Sequence, residues 1–344
     1  MIPTPQGRQR AAMARATLIA TTAAMLLGAG SARGLDLERP ELREFITELR
    51  ANDGFDTQYL DTVFAGVESK QSIIDAMTRP AEKVKPWFEY QAIFLTPRRI
   101  SGGIDFYREH EAALRQIALK TGVPPEIITA IIGVETFYGT RTGGYRAVDA
   151  LATLAFDYPP RGKFFRSELR QLFLLARDEQ LDIGQLTGSY AGALGPPQFI
   201  PSSYRNFAVD GNNDGRRNLL SDWSDIFASV ANYFVVHDWQ PAQPVAVRAQ
   251  LKADTTRSDT ANELVMRDTV ESLRRQGVDF TTDLPSKAPA MLITLAGEEG
   301  AEYWVAFQNF YTITRYNRSP MYALAVFQLS EAIAAGTRKT DAPP

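Results

Sequence analysis

Residues 124–139, PPEIITAIIGVETFYG, decide how this chain is read. Two prolines open the stretch, and proline suits a first helical turn, where its missing N–H has no partner to lose. Gly139 stands where a left-handed residue commonly closes a helix. Between them Ile128, Ile131, Ile132 and Glu135 recur at spacings of three and four, which puts them on one helical face. A carboxylate in register with isoleucines is the odd member of that face. Burial disfavours its charged form and raises its pKa, which is what a general acid needs near neutral pH. The competing reading is a structural glutamate at a helix end, paired with Arg141 or Arg146.

The rest of the chain sets the bounds. Its 344 residues can bury a large core and allow two or three packed units, and 44% apolar with 22% charged residues is ordinary for a soluble protein. Arg8, Arg10 and Arg15 form a basic leader before the apolar run Ala16 to Gly30. That run is too short to span a bilayer comfortably, and Gly30 and Ala32 offer a small-residue cleavage site. Residues 1–32 therefore read as a secretory signal peptide, with an uncleaved membrane anchor as the alternative. No further transmembrane segment is expected after cleavage. Removal takes away three arginines and no acids, moving the formal charge from −3 to −6, so a generic nucleic-acid binder is not expected. With 0 cysteines there is no disulfide, thiolate metal site, cysteine nucleophile or lipidated N-terminal cysteine. Only His110 and His237 are present, so the chemistry must rest on carboxylates, hydroxyls and amides.

Taken in order, the pattern from Leu37 to about Ala118 is helical: Pro40 to Ala51, Thr57 to Val67, an aromatic-rich KPWFEYQAIFL over 85–95, and one long helix from Ser101 to Lys120. After the glutamate helix, Val148 to Phe156 and Phe164 to Glu179 read as buried helices. GSYAGALGPPQFIPSSY, residues 188–204, has glycines that let backbone approach a ligand and polar side chains at Ser189, Gln198, Ser202 and Ser203. Asp225 to His237 and Thr260 to Gln276 read as helices, with an edge or linker at Gln240 to Pro244. Then the period changes to two: Ala290 to Ala296 and Tyr303 to Arg315 are expected to pair as a hairpin around Gly297-Glu298-Glu299-Gly300, before a final helix from Met321 to Ala335.

DGNNDGRRNLLSDWSD, residues 210–225, has the look of a calcium loop. Asp210, Asn212 and Asp214 hold the first, third and fifth positions, Gly215 the sixth, and Arg216 the seventh, where a backbone carbonyl is the ligand. The twelfth position is Ser221, so Asp222 or Asp225 must supply the late carboxylate from a lengthened loop. A structural calcium and a metal-free Asx-rich turn both fit this pattern.

FLTPRRI, GVETFYG, ALATLAFDYPPR, LTGSYAGALGPPQFIPSSY, the Asp210 loop, SVANYF with HDW, and ITRYNRSPMYA occur in this order between Leu37 and Ala335. In these seven stretches the chain resembles the lytic murein transglycosylase B family. The resemblance implies a mainly α fold: a lysozyme-like helical core within a larger helical domain, plus a small β-hairpin element near the C-terminus. It implies a helical domain at 36–118 and 226–280, a catalytic core at 119–225 with an EF-hand-like loop at 210–225, a small β element at 281–318 and a C-terminal helix at 319–336.

Residue by residue, Glu135 matches the family's single catalytic acid/base. Tyr90, Ser189, Gln198, Tyr233, Tyr316 and Asn317 match residues that line the sugar groove, and Asp210, Asn212, Asp214, Arg216 and Asp225 match the metal loop of one branch. The chain departs from the pattern in Gly-Pro-Pro-Gln before Phe199 and in one extra residue before Asp225. The implied activity is periplasmic cleavage of the β-1,4 bond between N-acetylmuramic acid (MurNAc) and N-acetylglucosamine (GlcNAc) in peptidoglycan, closing a 1,6-anhydro ring. No cofactor is required for it. The expected partner is the glycan strand, with other cell-wall enzymes left open, and the protein is expected to be a monomer. The motifs hold no second carboxylate for ordinary glycoside hydrolysis. A hydrolytic lysozyme-like muramidase, a catalytically silent wall-binding protein and a calcium-regulated structural protein are the competing functions.

Overall fold

The computed structural model describes residues 33–78, 85–253, 255 and 262–341. The signal-peptide reading of residues 1–32 lies outside the described residues. Helices dominate, and their starts follow local chemistry. The first are α1 (Pro40–Asp53), α2 (Thr57–Ala65), α3 (Gln71–Thr78) and α4 (Trp87–Phe94). Asp56 caps α2 by accepting the N–H of Tyr59. Next come α5 (Pro97–Glu109) and α6 (Glu111–Thr121), where a single helix from Ser101 to Lys120 was expected. Two residues explain the difference. Thr96 accepts the N–H of Arg99 with Pro97 behind it, so the helix starts before the Ser-Gly-Gly; and His110, at φ −112° and ψ 13°, breaks it.

The glutamate helix is α7 (Pro125–Thr136), and it is central. Ile127, Ile128, Thr129, Ala130, Ile131, Ile132, Gly133 and Thr136 are all buried, so it is apolar around almost its whole circumference. Around it pack α5, α6, α11 (Trp223–Val236) and α14 (Pro320–Asp341). Burying each isoleucine contributes about 1.5–3 kcal/mol, which holds the helix in place against the cost of ordering it. Between α7 and α11 the chain runs through α8 (Ala147–Asp157), α9 (Gly162–Asp178) and α10 (Pro201–Phe207).

Strands are short: β1 (Arg33–Gly34) pairs with β2 (Glu68–Ser69), and β3 (Tyr145–Arg146) with β4 (Thr187–Gly188). The remaining five, β5 (Ala246–Leu251), β6 (Asp268–Thr269), β7 (Val278–Asp279), β8 (Pro289–Gly297) and β9 (Gly300–Ala306), form one antiparallel sheet in the order β6-β8-β9-β5-β7. The expected β8–β9 hairpin is present, with Gly297 opposite Gly300, but it sits inside this larger sheet. Ala249, Val270, Leu273, Val278, Phe280, Ala290, Val305 and Phe307 make a second, smaller core.

Two readings fail here. The strand expected to run from Tyr303 to Arg315 stops at Ala306, and α13 (Gln308–Tyr316) follows. Phe307, Phe310 and Ile313 are all buried at a spacing of three, a helical period hidden in a run rich in β-forming residues. Buried Asn309 fixes the helix start through bonds to the backbone of Gln240 and Gln243. Of the helix expected over Thr260 to Gln276, whose first two residues lie outside the described ones, only α12 (Val270–Arg275) forms among the described residues. A reciprocal cap between Thr269 and Ser272 sets its first residue, while Asn262 bonds both backbone groups of Thr294 on β8.

Candidate active site

Glu135 lies in the last turn of α7 and is half-buried. The helix ends abruptly after it: Phe137, Tyr138 and Gly139 take φ of 51°, 59° and 80°. Left-handed non-glycine residues cost about 1–3 kcal/mol each and persist only where their surroundings over-determine them. Tyr138 shows how. Its ring packs where a Cβ on Gly133 would come within 2.6 Å, its hydroxyl sits where a Cβ on Gly103 would come within 2.4 Å, and that hydroxyl donates to the carbonyl of Arg99 at 2.7 Å. Neither glycine can carry a side chain without displacing the tyrosine that turns the chain.

The carboxylate of Glu135 accepts a hydrogen bond at Oε1 from the hydroxyl of Tyr322, in the first turn of α14. Ser319 supports that turn by accepting the N–H of Tyr322 on its Oγ. The Tyr322 phenol is pushed well above its ordinary value, first by burial and then by the charges of Glu135 and Tyr316. Tyr316 is raised in the same direction by burial, Glu135 and Tyr233. Both phenols therefore stay neutral throughout the physiological range, so Tyr322 keeps the proton it donates.

A loop closes the other side. Thr136, next to Glu135, donates through Oγ1 to the carbonyl of Pro196 at 2.9 Å, and Tyr316 donates to the carbonyl of Pro197 at 2.6 Å. Gln198, at φ 52°, donates to the carbonyls of Thr142 and Gly195 at 3.1 and 3.0 Å. Gly195–Gln198 is thus tied to α7, to α13 and to the segment after α7. Ser189, just past β4, accepts the N–H groups of Ala191 and Ala193 on its Oγ, which leaves its own O–H proton for another partner.

The groove residues expected from the sequence divide into two kinds. Tyr316 lies within the electrostatic reach of Glu135, and Asn317 follows it directly at the C-terminal cap of α13, half-buried. Tyr233 stands behind Tyr316, its ring centre 4.9 Å away, and donates to the carbonyl of Arg315 at 2.5 Å; burial pushes its phenol up to about 12. Tyr90 is buried on α4 and close enough to Tyr322 to raise its phenol further. Gln198 braces the loop through both amide hydrogens. The two arginines considered as partners of Glu135 have other contacts: Arg146 bonds the carbonyl of Gly66 and pairs with Asp149, and Arg141 lies over the ring of Phe137.

Sequence reading missed Tyr322 and Thr136. Thr136 stood inside GVET and Tyr322 inside ITRYNRSPMYA; the usable signal for the second was Ser319-Pro320, a cap and a first-turn proline placing Tyr322 at the mouth of a helix.

In the Asp210 loop the carboxylates are occupied by the loop itself. Asp210 accepts the N–H groups of Asp214 and Gly215, and Asp214 accepts that of Arg216. Buried Asp225 takes Gly211 N–H on one oxygen and Asn218 N–H on the other, while Asp222 caps α11 and holds the amide of Asn212. Oxygen donors of this kind suit calcium. Among the described residues no three acidic or histidine side chains gather in one cluster, and an EF-hand draws its remaining ligands from amide and backbone oxygens such as those of Asn212 and Arg216. The loop also buttresses the site: the carbonyl of Leu219 approaches Gly195 so closely that a Cβ there would lie 2.0 Å from it, and Trp223 packs on Gly139.

The family described as Transglycosylase SLT domain matches residues 38–331. The chain is 40% identical over 304 residues to the membrane-bound lytic murein transglycosylase B of Escherichia coli K12, covering 86% of this chain and 83% of that one. It is 47% identical to the soluble lytic transglycosylase SltB1 of Pseudomonas aeruginosa, with a TM-score of 0.82 over 86% of this chain and 99% of that one. It is 39% identical to the E. coli lytic transglycosylase Slt35 solved in complex with calcium, with a TM-score of 0.80 over 89% and 96% of the two chains.

Proposed function

The chain belongs to the Transglycosylase SLT domain family and is a lytic murein transglycosylase, and on that premise we propose that Glu135 alone serves as acid and then as base in cutting peptidoglycan. The bond cut is the β-1,4 link from MurNAc to GlcNAc. Protonated Glu135 gives its proton to the glycosidic oxygen, the C1–O bond breaks, and the GlcNAc end leaves as a free 4-hydroxyl. The oxocarbenium-like charge left at C1 is met by the carbonyl of the sugar's own N-acetyl group, as in substrate-assisted enzymes. Ionised Glu135 then removes the proton of the C6 hydroxyl as that oxygen bonds to C1. The ring closes to 1,6-anhydro-MurNAc, no water is consumed, and Glu135 ends protonated as it began.

The observation that carries this reading is the hydrogen bond from Tyr322 to Glu135 beside the braced Gly195–Gln198 loop. A donor that stays neutral orients the carboxyl without forming an ion pair that would hold it charged. In this account Ser189 and Asn317 orient the N-acetyl group or the C6 hydroxyl, Tyr90 and Tyr316 line the sugar site, and Tyr233 supports Tyr316. The core over 119–225 carries the catalytic acid. The leader at 1–32 directs the protein to the periplasm, where it acts as a monomer on glycan strands.

Clearing of purified sacculi tests the assignment. Wild-type protein is expected to reduce turbidity, and Glu135→Gln to bind the same sacculi without clearing them. Clearing by the variant at the wild-type rate would remove Glu135 from the reaction, and binding without clearing by both proteins would make this a wall-binding protein.

A further inference from the structure

Three arginines gather around one ring at the C-terminal end of α7. The guanidinium carbons of Arg98, Arg99 and Arg141 lie 5.6, 5.0 and 5.1 Å from the centre of Phe137, the left-handed residue that ends the helix. Among the described residues none of the three forms a salt bridge. Arg99 is only 8% exposed, and its Nε is buried with no hydrogen-bond partner. Burial lowers the pKa of its guanidinium, Tyr138 opposes that shift, and the neighbouring charge of Arg141 adds to it.

A structural role explains one of these charges. Arg99 donates through Nη1 to the carbonyl of Gly133 at 2.9 Å, which caps the negative end of α7. That end carries only about half an elementary charge. Arg98 and Arg141 are exposed and add two full positive charges, and among the described residues neither guanidinium bonds a carbonyl of the helix.

Their position is tied to Glu135 from both sides. The N–H of Arg141 donates to the carbonyl of Thr136 at 2.9 Å, and the segment it opens seats Gly143 against Gly188 and Ser189. On the other flank, Glu135 bonds Tyr322, whose phenol feels Tyr90 electrostatically; Tyr90 packs on the Phe94 ring, and Arg99 lies 5.1 Å above that ring.

We propose that Arg98 and Arg141, backed by Arg99, form an anion subsite at the C-terminal end of α7, the helix that carries Glu135, and that it receives a free carboxylate of the peptide stem carried by the muramic acid. The proposal rests on peptidoglycan being the substrate. The sugars' hydroxyl and N-acetyl groups are neutral, so the anion on such a strand comes with its peptide. A planar guanidinium fork matches a carboxylate with two parallel hydrogen bonds.

Binding in the Glu135→Gln background tests this without relying on turnover. Affinity is measured for three soluble glycan fragments: one with intact stems, one of GlcNAc units alone that carries no carboxyl group, and one with the stem carboxylates amidated. Arg98→Gln with Arg141→Gln is expected to weaken the intact fragment by about tenfold, the effect of losing one charge-assisted contact. The other two fragments should bind more weakly from the outset and change far less. Arg98→Lys with Arg141→Lys should recover part of the loss, and raising salt should erode the preference for intact stems. Equal weakening of all three fragments would mean that the arginines only support the helix end, and no weakening of any would mean that the charges meet no substrate anion; either result overturns the proposal. Failure of the wider catalytic reading would show separately, as sacculi left uncut by the wild-type protein.

Discussion

Two carboxylate-bearing regions stood out in this sequence, the end of α7 and the loop from Asp210 to Asp225, and the structure treats them in opposite ways. At Glu135 the hydrogen-bond donor is a phenol from a distant helix, 187 residues along the chain. At Asp225 the donors are two N–H groups of the loop itself, Gly211 and Asn218. A carboxylate held by a side chain from another helix is oriented between elements, whereas a carboxylate holding its own backbone has closed a turn. The second region still serves the first, since Leu219 and Trp223 press on Gly195 and Gly139.

The sharpest way to separate the two regions is by what each loses on mutation. Glu135→Gln keeps the shape of the side chain but cannot cycle a proton, so turnover should fall by about 10³-fold or more with the melting temperature nearly unchanged, read by sacculus clearing and calorimetry. Tyr322→Phe removes one hydrogen bond to a charged group, worth about 1.5–3 kcal/mol, and should lower kcat by roughly 10–100-fold. A Tyr322→Phe enzyme with full kcat would show that the phenol merely fills space.

Asp225→Ala should reverse the pattern. It leaves the N–H groups of two half-buried residues without their carboxylate acceptor, at up to about 1–3 kcal/mol each, so the melting temperature should drop by several degrees while kcat falls less than in Tyr322→Phe. A loss of kcat exceeding the loss of stability would erase the distinction. Calcium added to chelator-treated protein tests the loop directly: a rise of several degrees in melting temperature would show that it takes a cation, and no shift that its carboxylates only hold the turn.

The smallest expected effect is in the pH dependence of stability. Burial raises Asp225 and, on α9, Glu168, which accepts the N–H of Ser202. A carboxyl with a raised folded pKa binds more protons folded than unfolded, so stability falls as pH rises from its unfolded value through its folded one. That decline begins near 3.8 for Asp225 and 4.5 for Glu168. Glu168→Gln should flatten its share of the curve, measured as melting temperature against pH.

The sequence was most legible where a helix has an apolar period and a chemical punctuation mark. Pro125 fixed the start of α7, and its isoleucines declared it buried. It was least legible where side chains decide the element from a distance. Asn309, reaching the backbone of Gln240 and Gln243, anchors α13 in a stretch whose composition favours a strand. Five strands assemble where two were expected because β6 and β7 are two residues long and carry no periodic signal of their own. Of the site, Glu135 and Tyr316 could be read from their motifs, whereas the loop-bracing role of Gln198 and the donor role of Tyr322 depend on tertiary contacts that no local pattern encodes.

The central claim is that one glutamate moves a proton out and back and that water takes no part. Digestion of purified sacculi in water labelled with heavy oxygen, followed by mass spectrometry of the released muropeptides, tests it directly. The account predicts anhydro ends that are one water lighter than hydrolytic ends and carry no label. Reducing ends carrying one labelled oxygen would contradict it.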